Sequence, residues 1–324
     1  LVTIGIIGTG WFSGIHANIL SEMEGVKVKA ICGTSLEKAR TFASSYGDMT
    51  PYGNLTQMLD CEKLDAVYIC VPPFAHGDIE SELVARGIPF LVEKPLSVDE
   101  EAPSRILDEV RKKPIITSVG YHFRYKNSVD LLRNELREST LGMATGEWMG
   151  SMPEVPWWRN RQTSGGQFIE QTTHLVDLLR YTMGEVKEVY ASYANTYVST
   201  QYEGVTVPDV GTVSLKFTNG LIANLSNTCI IPDEQTKIGI NYYTNNGVIH
   251  LGPDSLELFK NGEKHIMEDV DNPYVLENKA FIHAVRTGDT SGILSTYEDA
   301  FKTLKVTVAA QASADSGQVV KVSE

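Results

Sequence analysis

Cysteine is scarce in this chain. Four occur in 324 residues (Cys32, Cys61, Cys70, Cys229), with no close C-x-x-C pair, so neither a disulfide framework nor a thiolate metal site is indicated. Cys32 and Cys70 end strongly apolar runs, where a thiol behaves as a small core hydrophobe, and a reducing, cytoplasmic setting is expected. Positive charge is also short: 28 Lys+Arg against 41 Asp+Glu leave a formal charge of −13, which repels a phosphate backbone or an anionic bilayer. Nucleic acid and membrane are therefore poor partners. No run reaches the roughly 18 uninterrupted apolar residues of a membrane helix. The opening LVTIGIIGTG lacks the basic segment of a secretory signal. Nor is there a repeat or a low-complexity tract. What remains is ordinary globular composition, 42% hydrophobic and 21% charged, in a chain long enough for two cores.

From Thr3 to about Gly120, short apolar runs alternate with segments of helical period. Thr3–Ile7, Val26–Cys32, Ala66–Val71, Phe90–Glu93 and Ile115–Val119 read as strands, apolar on both faces, as in a parallel sheet covered by helices. A doubly wound, Rossmann-like α/β domain over residues 1–120 is predicted. After Gly120 a Trp-rich segment (Trp148, Trp157, Trp158) precedes one helix and then alternating strands. Val213, Leu215 and Phe217 point one way, Thr218-Asn219-Gly220 turns the chain, and Leu221, Ala223 and Leu225 return it. Asn245-Asn246-Gly247 and Asn261-Gly262 supply further turns. Residues 121–324 are thus predicted to form an α+β domain with a large, mostly antiparallel open sheet, closed by a helix behind a Ser295-x-x-Glu298 capping box.

The first strand runs into Gly8-Thr9-Gly10-Trp11-Phe12-Ser13-Gly14 and then a helix, the context a dinucleotide fingerprint requires. The glycines admit a tight turn and a close backbone approach to a diphosphate, which the helix N-terminus also attracts. Gly8, Gly10, Trp11, Phe12 and Ser13 are candidate cofactor residues, with Ser13 standing where the third glycine is usual. The second strand should end in Asp or Glu if a ribose 2′-hydroxyl is to be held. Here it ends Cys32-Gly33-Thr34-Ser35, followed by Lys38 and Arg40, a set that would receive the 2′-phosphate of NADP. NADP is favoured over NAD on this ground. Thr34-x-x-Glu37 also reads as a capping box, a compatible role.

Lys94 follows the strand Phe90–Glu93, at the carboxyl edge where open α/β sheets bind ligands. A proton-transfer role and a surface salt bridge with Glu93 are both open readings. Further on, Gly165-Gly166-Gln167-Phe168-Ile169-Glu170-Gln171-Thr172-Thr173-His174 sets Glu170 and His174 four apart, on one face if the segment is a single helix.

At these residues the sequence resembles the glucose–fructose oxidoreductase, inositol dehydrogenase and rhizopine-catabolism family of NAD(P)-dependent oxidoreductases. The likeness spans essentially the whole chain. It rests on Gly8-x-Gly10, on Val71-Pro72-Pro73 followed by His76, on Glu93-Lys94-Pro95, on the segment leading to Glu170 and His174, and on Tyr297-Glu298-Asp299-Ala300. The resemblance implies that Lys94 and His174 are catalytic and that Glu170 stands where relatives more usually carry Asp. It also places Pro72, His76, Glu93 and Lys94 beside the dinucleotide and matches Pro95 to a proline often cis in relatives. His76 could equally cap the helix that starts there.

On this resemblance a hydride passes between nicotinamide and a sugar, sugar derivative or cyclitol. Lys94 then serves as acid/base, and His174 and Glu170 assist. Tyr121, Arg124, Trp157, Trp158 and Arg159 resemble pocket-lining segments, although a Trp pair is more often plain core. His122, His250, His265 and His283 form no ligand constellation, and no metal is expected. Relatives pair through the second sheet, which implies a homodimer or homotetramer. A catalytically idle dinucleotide-binding regulator of the same family is the rival reading.

Overall fold

Strands that are apolar on both faces are stable only between two layers of helices, and a parallel arrangement needs a crossover between each pair. The computed structural model describes residues 1–323. Among these, Leu1–Ser97, Glu101–His122 and Pro273–Phe301 form one compact unit, while Val98–Glu100, Phe123–Asn272 and residues 302–323 form another.

The first unit contains a six-stranded parallel sheet built from β1 (Val2–Ile7), β2 (Val26–Cys32), β3 (Thr50–Tyr52), β4 (Ala66–Ile69), β5 (Phe90–Val92) and β6 (Thr117–Val119), in the order β3-β2-β1-β4-β5-β6. The chain winds outward from β1 to β3, returns beside β1 with β4, and winds the other way. The carboxyl ends of β1 and β4 therefore flank the switch point where such sheets hold ligands. The predicted strands are all present, β2 at its expected bounds and the others shifted: β1 starts at Val2, β4 stops at Ile69, β5 at Val92, and β6 starts at Thr117. β3 has no counterpart in the sequence reading, because three residues cannot display a period and Pro51 is tolerated only at a sheet edge.

The division expected at residues 120 and 121 is too simple. The Pro273–Thr287 helix buries Phe281 and Ile282 in the core formed by Ile4, Ile6, Ala17 and Leu20. The segment after it runs beside β6, with Val119 N–H donating to Ser295 O and Tyr297 N–H to Thr117 Oγ1. The capping box also moves. Thr296, one residue after the expected Ser295, accepts from Asp299 N–H at 3.3 Å and from Ala300 N–H at 2.9 Å to start the Tyr297–Ser316 helix.

The second unit is built on a nine-stranded sheet. Its strands are β7 (Leu141–Met149), β8 (Val186–Ala194), β9 (Val210–Phe217), β10 (Ile222–Thr228), β11 (Lys237–Thr244), β12 (Gly247–Leu251), β13 (Ser255–Lys260), β14 (Glu263–Glu268) and β15 (Val320–Lys321). The order is β14-β13-β12-β11-β7-β10-β9-β8-β15, with β7 and β10 parallel and every other pair antiparallel. The hairpin read from the alternation is present: Val213, Leu215, Phe217, Ala223 and Leu225 are buried against Leu175, Leu178 and Leu179 of the Thr173–Met183 helix and Val306 of the last helix. The opposite face stays uncovered in one chain. There the register aligns Ile222, Met143 and Tyr243 across β10, β7 and β11, beside a polar row of Ser214, Asn224, Thr145 and Asn241.

Candidate active site

The turn after β1 is shaped by two glycines and an unblocked helix end. Gly8 has φ +106°, and a Cβ there would sit 2.1 Å from the Cys70 carbonyl oxygen, so no other residue fits. Gly10 precedes the Trp11–Ser21 helix without offering a side-chain cap, and a Cβ built on it meets nothing within 4 Å. No side chain caps the N–H groups of the first turn, which leaves them available to an anion. Trp11 is exposed and Ser13 buried. The packing role of a third glycine falls on Gly14, where a Cβ would meet the Tyr46 hydroxyl at 2.4 Å, one position later than the fingerprint suggests.

At the end of β2 the helix Leu36–Tyr46 is capped by Ser35, which accepts from Lys38 N–H at 3.2 Å, rather than by the expected Thr34. Thr34 Oγ1 instead accepts from Lys38 Nζ at 3.2 Å, so an ammonium is held two residues past the end of β2. After β4, Pro72 leads into a short 3₁₀ turn, Pro73–Ala75, and His76. His76 does not cap the following Asp78–Arg86 helix. Its Nδ1 lies 2.6 Å from Glu80 Oε1, while Glu80 Oε2 accepts from Gly77 N–H. Burial pushes the Glu80 carboxyl up, but the charge and hydrogen bond of His76 and the Gly77 N–H outweigh it and hold the group below its ordinary range. His76 Nε2 is buried and meets no hydrogen-bond partner among the described residues. The bare helix N-terminus, the Gly8 cradle and this nitrogen together fit a dinucleotide.

Lys94 follows β5 and is joined to Pro95 by a cis peptide. Its ammonium is 5.9 Å from the centre of the Phe12 ring. Both Lys94 and Glu93 are buried, which removes the surface salt bridge as a reading, and Glu93 Oε1 lies 2.9 Å from His16 Nε2. Tyr121 is buried in the same unit, and the neighbouring His122 ring stacks on Tyr274 at 3.8 Å.

In the second unit, Glu170 and His174 do not share one helix. Glu170 ends the Gln167–Glu170 turn, the backbone breaks at Gln171 and Thr172, and His174 lies in the first turn of the Thr173–Met183 helix. Glu170 Oε2 accepts from Trp158 Nε1 at 3.0 Å. Trp158 is core, packed with Val198, Val207 and Cys229; Trp157 flanks that cluster, and the Arg159 guanidinium covers the Tyr202 ring at 3.7 Å. The His174 ring is buried and stacks on Phe123 at 4.7 Å, with Trp148 parallel to it at 6.0 Å. The sequence does not link either aromatic to His174, because β7 and the segment after β6 lie far from it along the chain. Arg124, expected to meet substrate, directs Nε and Nη2 to the two oxygens of Asp177 at 2.7 and 2.6 Å. It braces the His174 helix. No group of three His, Cys, Asp or Glu among the described residues is placed to hold a metal.

The parallel sheet with its glycine turn defines a dinucleotide-binding oxidoreductase architecture joined to an α+β unit. The family described as "Oxidoreductase family, NAD-binding Rossmann fold" matches residues 2–121, and the "GFO/IDH/MocA C-terminal domain" matches residues 139–249. The chain belongs to this Gfo/Idh/MocA oxidoreductase family. It is similar to myo-inositol 2-dehydrogenase of Thermotoga maritima, with 25% identity covering 99% of this chain and 98% of that protein. It is also similar to D-xylose 1-dehydrogenase (NADP(+)) 2 of Haloferax volcanii, with 24% identity covering 98% of both. A solved structure of levoglucosan dehydrogenase with NADH and levoglucosan shares the fold at a TM-score of 0.89 and 18% identity, over 99% of both chains.

Proposed function

We propose that this enzyme transfers a hydride between a nicotinamide dinucleotide and a hydroxyl-bearing carbon, or the corresponding carbonyl, of a sugar, sugar derivative or cyclitol. The observation that carries the reading is the buried Lys94 at the carboxyl edge of the parallel sheet, against Phe12 of the helix that starts at the glycine turn. The substrate names of the relatives, inositol and xylose among them, point to the same class.

Gly8, Gly10 and the first turn of the Trp11–Ser21 helix would hold the diphosphate, and Pro72, His76 and Glu93 would lie elsewhere beside the dinucleotide. The dinucleotide supplies the hydride acceptor or donor. Lys94 Nζ takes the proton of the reacting hydroxyl in oxidation and returns it in reduction. His174, fixed in its aromatic slot, assists at the substrate oxygen, and Glu170, tied to Trp158, orders the loop before it. NADP is the preferred cofactor, since no carboxylate ends β2 and Lys38 holds a positive charge there. Protomers pair through the uncovered face of the second sheet.

The test is turnover on a panel of polyols, aldoses and ketoses with both nicotinamide cofactors, run beside Lys94→Ala. Turnover on one substrate class, lowered about 10²–10⁴-fold in the variant while dinucleotide affinity changes little, supports the reading. Near-normal turnover by Lys94→Ala on the preferred substrate overturns the role of Lys94. Dinucleotide binding with no turnover across the panel selects a regulatory protein instead.

A further inference from the structure

The Lys94 turn is reached from behind by a histidine that no sequence motif singles out. His16 is completely buried, and its two ring nitrogens are both engaged. Nε2 lies 2.9 Å from Glu93 Oε1. Nδ1 faces the Asn278 amide, with Oδ1 at 3.2 Å and Nδ2 at 3.0 Å, and that Nδ2 also donates to the Tyr274 carbonyl at 2.7 Å. With the Glu93 carboxylate accepting from Nε2–H, Nδ1 of the neutral ring is left to accept from the Asn278 amide N–H. On its other side the Glu93 carboxylate is confined by Gly120, where a Cβ would stand 2.7 Å from Oε2. Phe12 lies four residues before His16, one helical turn away, and it is Phe12 that meets the Lys94 ammonium. One helix, beginning at the glycine turn, thus touches both Lys94 and Glu93.

Packing alone does not account for this arrangement. A leucine would fill the volume without the cost of burying two polar nitrogens, and the carboxylate opposite would then lose its partner. We propose that His16 is a positioning residue: it fixes the Glu93 carboxylate, and with it the Lys94 turn, against the first turns of the dinucleotide helix. The nicotinamide end of the cofactor, not the adenosine end, then depends on it. This inference rests on the hydride-transfer reading above.

The experiment compares the affinity of the full-length protein for NADH and for ADP-ribose, which lacks nicotinamide, by calorimetry. If NADP proves to be the preferred form, NADPH and 2′-phospho-ADP-ribose are used. His16→Leu is expected to weaken the reduced dinucleotide about 10-fold, the loss of one hydrogen bond to a charged group, while the nicotinamide-free ligand changes less than about 2-fold. With the substrate found in the panel, kcat should fall about 10–100-fold and KM change little, as for a displaced reacting group. His16→Gln, whose amide N–H reaches toward the same carboxylate, should restore most of both losses, and Glu93→Gln should reproduce the shift in the affinity ratio. Should His16→Leu fail to fold, the other two variants carry the test. Equal weakening of both ligands, an unchanged ratio in His16→Leu and Glu93→Gln, or no recovery in His16→Gln would overturn the proposal. Normal turnover by Lys94→Ala would instead overturn the acid/base reading, and the binding ratio would still report on His16.

Discussion

Two substitutions separate the roles of the residues proposed to do chemistry. His174→Ala should lower turnover, and in Lys94→Ala/His174→Ala the combined loss should be smaller than the product of the single losses if both act at one substrate oxygen. Strictly multiplicative losses in kcat would place them in independent steps. Gly33→Asp should weaken NADP binding by repelling its 2′-phosphate and improve NAD binding; titration of both cofactors decides it, and tighter NAD binding by the unmodified protein would reverse the assignment. Glu80 carries a pH signature. Its carboxyl is held below its ordinary value of 4.5, so the stability it contributes is present above that pH and is lost as pH falls through the lower folded value. Glu80→Gln should cost about 1–3 kcal/mol at neutral pH and flatten the decline in melting temperature below pH 4.5. The place of Lys94 just past a strand was legible from sequence because a strand end is a local signal. His16 and Asn278 were not, since 262 residues separate them and each alone is one polar residue on a helix.

Among the elements, the Thr173–Met183 helix is secured by charges rather than by propensity. Arg124 forks onto Asp177, Thr303 Oγ1 donates to the same carboxylate at 2.9 Å, and Arg180 donates to Thr303 Oγ1 at 2.6 Å and to Glu185. Removing one member of a buried pair leaves an unpaired charge, so Asp177→Leu should cost about 3–5 kcal/mol, and Arg124→Met/Asp177→Leu distinctly less. Denaturant melts of the four proteins in this cycle measure the difference. An Asp177→Leu loss below about 1 kcal/mol would show that the pair is dispensable. Period-two patterning made the β9–β10 hairpin readable, because one covered face forces alternation. The break between Glu170 and His174 escaped notice because a four-residue spacing carries no record of the Thr172 N–H reaching back to the Gln167 carbonyl. Helix starts slipped by one residue at Ser35 and Thr296, where two adjacent hydroxyl residues compete to cap.

For the whole molecule, the uncovered sheet face predicts association. The Ile222, Met143 and Tyr243 row is apolar in part and flanked by small polar residues, and sedimentation at micromolar protein should give twice or four times the 35.7 kDa chain. Tyr243→Lys should shift that mass toward one chain; an unmodified protein that sediments as a monomer would end the idea. The general architecture was readable from the run of apolar strands, but the return of Pro273–Phe301 to the first unit was not, because a helix's amphipathic pattern does not say which core it joins. That return bears on how the protein is made. On the ribosome the parallel sheet is complete once Val119 has emerged, yet the helix that seals β1 and the segment that borders β6 are still untranslated. At about 5–20 residues per second they arrive roughly 10–40 s later. A nascent first unit therefore waits with Ile4, Ile6 and Leu20 short of the Phe281 and Ile282 side chains that complete their core.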